Sequence, residues 1–231
     1  MGAGPPPSFE RYPGLRGREA EARSLAGQLR RLIRLSVSTA PPAEETAALA
    51  AQLAEVADRL EAHQRPDGPL PGFLAPVEGG TGEDPPLHGI MPFDFVVGAF
   101  NPLALPVRLT AEAPRAMGFA TFTDAYEGAP GCVHGGALAA TFDIVFTAAN
   151  ALADATGPTV RLALRYRRPT LLNVEAVFEA EVTEVTARRV FSRGRIVQDA
   201  TVTVEAEGEF AILDHDAIRG MASWRRGQSA P

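Results

Sequence analysis

The sequence predicts an α+β protein in which a long antiparallel sheet wraps around one central apolar helix, with a helical hairpin at the N-terminal end. First, apolar and polar residues alternate through several segments after residue 158, which is typical of antiparallel strands with one buried face. Second, residues 134–154 form the one long apolar segment that could cover that face. Third, two leucine stripes at helical spacing lie within the first 65 residues.

Residues 1–65 are expected to form an αα-hairpin. The two stripes are joined by "TAPPAEE", in which the prolines suit a first helical turn and the glutamates lie near the positive end of the second helix. The stripes consist of Leu25, Leu29 and Leu32, and then of Leu49, Leu53, Val56 and Leu60. Such stripes are usually buried faces, so we expect them to pack against the main domain or a second subunit.

Residues 66–100 are expected to form a Pro/Gly-rich linker that continues as an extended arm. Nine prolines and seven glycines fall between residues 66 and 106, a density that by itself suggests disorder. Interleaved aromatic residues indicate instead that parts of the segment lie against a surface, with "FDFVV" as a short strand. They are Phe73, Phe93, Phe95 and Phe100.

Residues 101–215 are expected to form the main domain, and residues 216–231 a C-terminal tail. "VRLTAEA" and "AMGFATFT" predict two short strands with a turn near Pro114. Three alternating strands are expected after the helix. Their inward-facing residues are Val160, Leu162, Leu164 and Tyr166; then Val174, Ala176, Phe178, Ala180 and Val182; then Val202, Val204, Ala206, Gly208, Phe210 and Ile212.

Composition excludes several classes of protein. The chain is 45% apolar and 22% charged, as in ordinary globular proteins, and its net charge of −6 argues against a general nucleic-acid or anionic-membrane surface. A single cysteine cannot form an internal disulfide, and no apolar run approaches the roughly 20 residues of a membrane span. We expect a cytoplasmic protein that contacts neither nucleic acid nor membrane.

The segment "EGAPGCVHGGALAATFDIVF" contains a carboxylate, Asp143, within an otherwise apolar run. Together with "GPTVRLALRYRRP", it resembles the hotdog-fold acyl-CoA thioesterases of the phenylacetate-degradation type. The resemblance rests on a His-Gly-Gly turn into the central helix, an acid nine residues after the histidine, a hydroxyl residue that opens the next strand, and an aromatic-x-x-Pro segment at that strand's end. In this sequence they are His134-Gly135-Gly136, Asp143, Thr159, and Tyr166 with Pro169, and the resemblance covers roughly residues 95–214.

The resemblance implies a hotdog fold, an acyl-CoA substrate, and active sites shared across a homodimer that could pair further into a tetramer. It implies no metal and no cofactor besides the coenzyme A of the substrate. Some relatives carry an Asn or a similar polar residue six positions before the histidine. Here that position is Gly128, so the polar complement of the site is thinner.

Thioester hydrolysis needs an oxyanion donor on one side of the carbonyl and a base or nucleophile on the other. The first turn of a helix has unpaired N–H groups, and glycine there permits close approach. Gly135 is therefore the candidate oxyanion donor, Gly136 serves close packing around the ligand, and Asp143 is the candidate base or nucleophile. Eight residues separate Gly135 from Asp143 by about 12 Å along a helix, so both can act on one carbonyl only if they come from different copies of the chain.

Alternative roles exist for each candidate. Asp143 could be a structural acid, and His134, a candidate catalytic residue, is more readily explained as ordering the helix start. Thr159 could orient a water or the thioester, or it could reflect strand propensity alone. Cys132 is better interpreted as a small buried side chain than as a nucleophile. Asn101 could approach the site from the arm.

Arginines in "RLALRYRRP" are the expected landing zone for the phosphates of coenzyme A, because a guanidinium can bind two oxygens at once. They are Arg165, Arg167 and Arg168, with Arg161 nearby. Pairing with glutamates on neighbouring strands is an equally weighted alternative for those that lie opposite the core face.

Two other functions are compatible with the pattern to different degrees. Acyl-thioester hydratases of this fold usually carry Asp and His five residues apart on one helix, and Ala148 stands at that position here, which counts against a hydratase. A non-catalytic module that binds acyl-CoA as a sensor remains the alternative. The first helix is arginine-rich, but its leucine stripe and the acidic second helix favour self-packing over DNA binding.

Overall fold

The computed structural model describes Leu15, residues 17–64 and residues 91–212. Phe73, most of the predicted linker and the predicted tail lie outside these residues. The helices are α1 (Glu19–Ser38), α2 (Ala43–Glu61) and α3 (Gly135–Leu152), with a short 3-10 turn at Asp124–Tyr126. The strands are β1 (Val107–Glu112), β2 (Arg115–Thr121), β3 (Thr159–Tyr166), β4 (Glu175–Val185), β5 (Arg189–Gln198) and β6 (Thr201–Ala211).

The six strands form one antiparallel sheet in the order β1-β2-β4-β5-β6-β3. Helix α3 packs against the inner face of this sheet, which confirms the predicted wrapping of a sheet around a single helix. Strand β3 is an edge strand, because it pairs only with β6 among the described strands.

Phenylalanine rings fill the space between helix and sheet. Phe142 and Phe146 stack on one another at 5.4 Å, and each meets a strand ring edge-on, Phe178 at 5.2 Å and Phe210 at 6.1 Å respectively. All four are fully buried. Because offset and edge-on ring contacts are directional, this cluster fixes the rotation and height of α3 beneath the sheet.

The sequence pattern did not predict strand β5. Its inward positions include Ser192 and Gly194, which break the apolar alternation. Ser192 donates a hydrogen bond to the fully buried Asn150 of α3, at 2.6 Å. At Gly194, a Cβ would lie 2.9 Å from the ring of Phe142, so only glycine leaves room for that ring.

The arm contacts both the core and α1. Val96 and Val97 belong to the main core, and Phe100 packs with Leu15 in a smaller cluster. The predicted strand at "FDFVV" is wrong: the segment is a series of turns, because the Asp94 carboxylate accepts the backbone N–H groups of Val96 and Val97 at 2.7 and 2.9 Å. Such a side-chain contact competes with strand pairing.

Helix α1 lies on the arm, whereas α2 extends into solvent. The Arg30 guanidinium of α1 donates to the carbonyls of Ala99 and Asn101 at 2.6 and 3.2 Å. Helix α2 has no buried residue. Both helices of the predicted N-terminal hairpin are therefore present, but they do not pack side by side, and no described residue of the chain buries the stripe on α2.

Helix α3 is, within the described residues, the one helix that is long and apolar enough to cross a membrane by length and composition. Half of it is buried inside the molecule, which is the environment of a core helix.

We predict that Gly194→Ala destabilises the fold by about 1–3 kcal/mol, because the added Cβ would lie 2.5 Å from the Glu179 carbonyl oxygen, and backbone there cannot move aside. Gly27→Ala is the matched control: nothing lies within 4 Å of its Cβ, and alanine in a helix gains about 0.5–1 kcal/mol over glycine. Urea unfolding of the two variants tests this. Equal midpoints would contradict the close packing at β5.

Candidate active site

The start of α3 is held by His134. Its backbone N–H donates to the Tyr126 carbonyl at 2.7 Å, and its Nδ1 accepts the Gly136 N–H at 2.9 Å as the helix N-cap. The Gly136 N–H is therefore not free to bind a ligand. His134 orders the start of the helix, which is the structural role that we favoured for it.

Gly135 leaves its N–H open. Among the hydrogen bonds of the described residues, the Gly136 N–H is taken by His134 Nδ1, and the N–H groups of Ala137 and Leu138 by the His134 carbonyl, whereas that of Gly135 has no acceptor. An unpaired N–H at the positive end of an 18-residue helix is suited to an oxyanion.

Tyr166 explains why residue 135 is glycine. The phenol of Tyr166, at the end of β3, donates to the Gly135 carbonyl at 3.2 Å. A Cβ on residue 135 would lie 2.8 Å from that phenol oxygen. The position of the Tyr166 ring beside the open N–H therefore depends on the missing side chain at residue 135.

The packing of the loop before α3 explains why residue 128 is glycine here, whereas some relatives carry a polar residue at this position. A Cβ on residue 128 would lie 2.8 Å from the His134 Cα, which is backbone at the start of the helix. The loop is also closed by the Glu127 carboxylate, which accepts the Gly131 N–H at 2.7 Å, and Gly131 has a φ of +73°. A polar side chain at position 128 would displace the helix start, so its absence follows from the local packing of this chain.

Asp143 is a half-buried carboxylate in the middle of α3. Thr159, which opens β3, donates a short 2.5 Å hydrogen bond to Asp143 Oδ1. Burial raises the pKa of Asp143 above its usual value, the bond from Thr159 opposes this, and the negative charge of Asp94 on the arm adds to the rise.

Strand β3 connects the two ends of the site without joining them. Its first residue contacts Asp143 and its last contacts Gly135, so strand and helix run in opposite directions side by side. Helix α3 is unbroken between these positions, which keeps Gly135 and Asp143 about 12 Å apart along its axis. A single chain therefore does not bring these two groups together.

The arginines divide into paired and unpaired ones. Arg167 forms an ion pair with Glu205 of β6 at 2.7 Å. Pairing with a glutamate on a neighbouring strand is the alternative to phosphate binding that we gave for these arginines. Arg161, Arg165 and Arg168 are exposed and form no ion pair within the described part of the chain. The backbone N–H groups of Arg167 and Arg168 both donate to the Thr203 carbonyl, which fixes the direction of the chain after β3.

Asn101 is engaged within the arm. Its amide donates to the Phe93 carbonyl at 2.9 Å and its side-chain oxygen accepts the Leu103 N–H at 2.9 Å. Cys132 is half-buried, and its Sγ contacts the Pro130 carbonyl. A substrate role for Asn101 stays a prediction.

A cavity of about 760 Å³ lies on the outer face of the sheet, and Arg165 of β3 is one of its lining residues. The lining includes Arg and Glu side chains such as Arg115, Arg193 and Glu181, which pair with one another. None of Gly135, Asp143 or Thr159 lines it. No three His, Cys, Asp or Glu side chains of the described residues are grouped so as to hold a metal ion.

Sequence reasoning missed two residues that shape the site, Asp94 and Gln198, and one contact of Tyr166. The contact of Tyr166 with the helix start had a signal in the aromatic-x-x-Pro pattern, but Asp94 and Gln198 had none. Gln198 is buried, and its amide accepts the Leu171 N–H at 2.8 Å and donates to the Val174 carbonyl at 3.1 Å, which fixes the turn beside the loop that precedes α3.

Residues 130–205 match the family model of the Thioesterase superfamily. This match covers about a third of the chain. The fold is a hotdog fold, and the resemblance to hotdog-fold thioesterases drawn from the sequence is confirmed. A solved structure described as a thioesterase superfamily protein is similar over 82% of this chain and 94% of that chain, with 29% identity and a TM-score of 0.70.

Acyl-coenzyme A thioesterase THEM4 of Mus musculus is 30% identical over 90 residues, which are 38% of this chain and 39% of the mouse protein. The match therefore spans well under half the length of that curated relative. A phenylacetic acid degradation protein of Thermus thermophilus is also similar, with 18% identity, coverage of 47% of this chain and 95% of that chain, and a TM-score of 0.44.

We predict that Thr159→Val raises the pKa of Asp143 further, because it removes the one hydrogen bond that favours the ionised form. A carboxyl group with a raised pKa in the folded state stabilises the fold below its unfolded pKa and loses that contribution as pH rises through its folded pKa. The variant should therefore lose stability between acid and neutral pH more than wild type. Carboxyl ¹³C NMR titration measures the shift, with Thr183→Val, which removes a bond to a backbone carbonyl on β5, as control. An unchanged or lowered pKa of Asp143 would contradict the assignment.

Proposed function

We propose that this protein is an acyl-CoA thioesterase that hydrolyses an acyl-CoA thioester to a free acid and coenzyme A. The observation that carries the proposal is the pairing of an open N–H at Gly135 with a half-buried carboxylate at Asp143 on one helix. The match to the Thioesterase superfamily and the partial similarity to a mouse acyl-coenzyme A thioesterase support it.

The carbonyl oxygen of the thioester accepts the Gly135 N–H and gains negative charge as the carbonyl carbon is attacked. With Asp143 as general base, the carboxylate takes a proton from water, the new C–O bond forms, and the C–S bond then breaks as that proton passes to the coenzyme A thiolate. With Asp143 as nucleophile, its oxygen first displaces the thiolate and water then hydrolyses the resulting anhydride. The geometry is compatible with either route.

The second half of each site comes from a partner subunit. Because Gly135 and Asp143 of one chain are about 12 Å apart, the carboxylate that faces a given Gly135 N–H belongs to a second copy of α3. A two-fold axis between two such helices generates two identical sites in a homodimer, which could pair again into a tetramer.

Coenzyme A is bound through its phosphates by arginines at the end of β3. Arg165 and Arg168 are available for this role, since they form no ion pair with any described residue. Arg167 must exchange Glu205 for phosphate, an exchange that costs little because exposed ion pairs contribute about 0–1 kcal/mol. Asn101 contributes to substrate binding only if its side-chain amide gives up the hydrogen bond to the Phe93 carbonyl of the arm.

A non-catalytic acyl-CoA-binding module is the second candidate function. It is favoured by Gly128, because the position where some relatives carry a polar residue cannot hold any side chain here. Thiol release distinguishes the two functions, since a binding module retains acyl-CoA affinity without turnover.

We predict that Asp143→Asn lowers kcat by about 10²–10⁴, the range typical of a lost general base, while acyl-CoA binding persists. The variant should be at least as stable as wild type at neutral pH, because it removes a carboxylate whose pKa is raised by burial and whose ionised form is therefore disfavoured. Thiol release across a panel of acyl-CoAs, calorimetric binding and thermal unfolding measure these effects. Retained kcat would contradict the role of Asp143, and absence of thiol release by wild type would favour the binding module.

We predict that two inactive variants restore activity when co-expressed. Gly135→Pro removes the N–H and adds a Cβ 2.8 Å from the Tyr166 phenol oxygen, so the phenol must shift. Proline is otherwise tolerated at a first helical position, and His134, at φ −60° and ψ 131°, already has the extended backbone that precedes proline. Gly135→Ala is its control, with the same Cβ contact but an intact N–H. Mixed dimers of Gly135→Pro and Asp143→Asn contain one site with both defects and one intact site, so thiol release should reappear. No recovery in a verified mixed dimer would rule out sites shared between subunits.

A further inference from the structure

Helix α2 carries an apolar stripe that the described residues of its own chain leave exposed. Leu49, Leu53, Val56 and Leu60 follow each other at steps of four, three and four residues and are 38–46% exposed. No residue of this 19-residue helix is buried. Helices of this length in water gain most of their stability from packing of an apolar face, so a stripe of this kind requires a partner.

Helix α1 carries a second uncovered stripe. Its arm-facing side is occupied, with Ala26 buried and Arg30 bound to the arm. Further apolar side chains of α1 are 41–59% exposed: Leu25, Leu32, Ile33 and Val37. Contiguous apolar patches on two successive helices are typical of interaction sites.

Helix α2 does not fold back onto α1 in the described part of the chain, and the connection between the two helices is extended. Thr39, at φ −132° and ψ 157°, and Pro42, at φ −54° and ψ 154°, are both extended. The residues that precede Pro41 and Pro42 are also biased towards extended backbone. A short extended connection carries the chain onward, whereas two helices packed side by side need it to reverse direction.

The net charges of the two helices indicate which stripe packs against which. Helix α1 contains four arginines and two glutamates, whereas α2 contains five acidic residues and one arginine. Packed helices lie about 8–10 Å apart, which is within the Debye length of about 8 Å to 10 Å at physiological salt. Pairing of α1 with α2 therefore brings opposite net charges together, and pairing of α1 with α1, or of α2 with α2, brings like charges together.

We infer that α2 of one chain docks on the exposed stripe of α1 of a second copy, so that two copies exchange their second helices. The exchange covers both stripes, brings basic and acidic helices together, and needs no reversal of the extended connection. It forms a contact between copies of the chain that is separate from the paired α3 helices of the proposed active site.

The test is cross-linking between two differently tagged chains that are co-expressed in a Cys132→Ser background. One chain carries Leu32→Cys and the other Leu53→Cys, both at exposed stripe positions that tolerate a small side chain. A short flexible bismaleimide should join the two tagged chains. The matched control is Arg31→Cys with Glu55→Cys, one residue earlier and two residues later on the same helices and off both stripes, and it should give no product.

Three results would overturn the inference. The first is absence of a product between the two tags. The second is a product within a single chain that carries both Leu32→Cys and Leu53→Cys, which would mean that α2 folds back. The third is a product between two Leu53→Cys chains alone, which would mean contact of α2 with α2. Thiol release plays no part in the readout, so failure of the proposed activity and failure of helix exchange are distinguishable.

Discussion

The structure depends on burial of one apolar helix beneath one sheet. Among the described residues, α3 is the one helix that covers the inner face of the sheet. It must therefore supply most of the apolar surface against which the strands pack. The stacked rings of Phe142 and Phe146 meet Phe178 and Phe210 edge-on, and this contact allows little freedom of rotation or translation. The rotation that buries the rings also determines where the other side chains of the helix point.

Fixing the helix places two chemical groups at a fixed separation. The open N–H of Gly135 depends on the helix end, and Asp143 is held half-buried by Thr159 at the start of β3. Burial disfavours the ionised carboxylate, so the fold keeps Asp143 at a cost in stability. Such a cost is typical of functional groups and is the reason that a neutral replacement is expected to remove activity without weakening the fold.

Segments remote in sequence support the site from one side. Arg30 of α1 holds the carbonyls of the arm, the arm brings the charge of Asp94 near Asp143, and the 3-10 turn holds the backbone of His134. Helix α1 is therefore part of the surroundings of the site, and in the proposed exchange the stripes on α1 and α2 connect those surroundings to a second chain.

Local patterns in the chain were enough to predict the architecture and the candidate groups. Period-two alternation and one apolar helix indicated the sheet around a helix, and the His-Gly-Gly turn with an acid nine residues later identified Gly135 and Asp143. Strand β5 was missed because Ser192 and Gly194 suit the α3 side chains that face them.

Three features of the site became visible only in the folded chain. The Tyr166 phenol lies 2.8 Å from where a Cβ of residue 135 would be, the backbone of His134 excludes a side chain at residue 128, and Asp94 lies near enough to Asp143 to raise its pKa. The contacts of Tyr166 and Asp94 join residues far apart in the chain, and the close approach at residue 128 depends on how the loop folds. Their distances follow from packing, which no local pattern encodes.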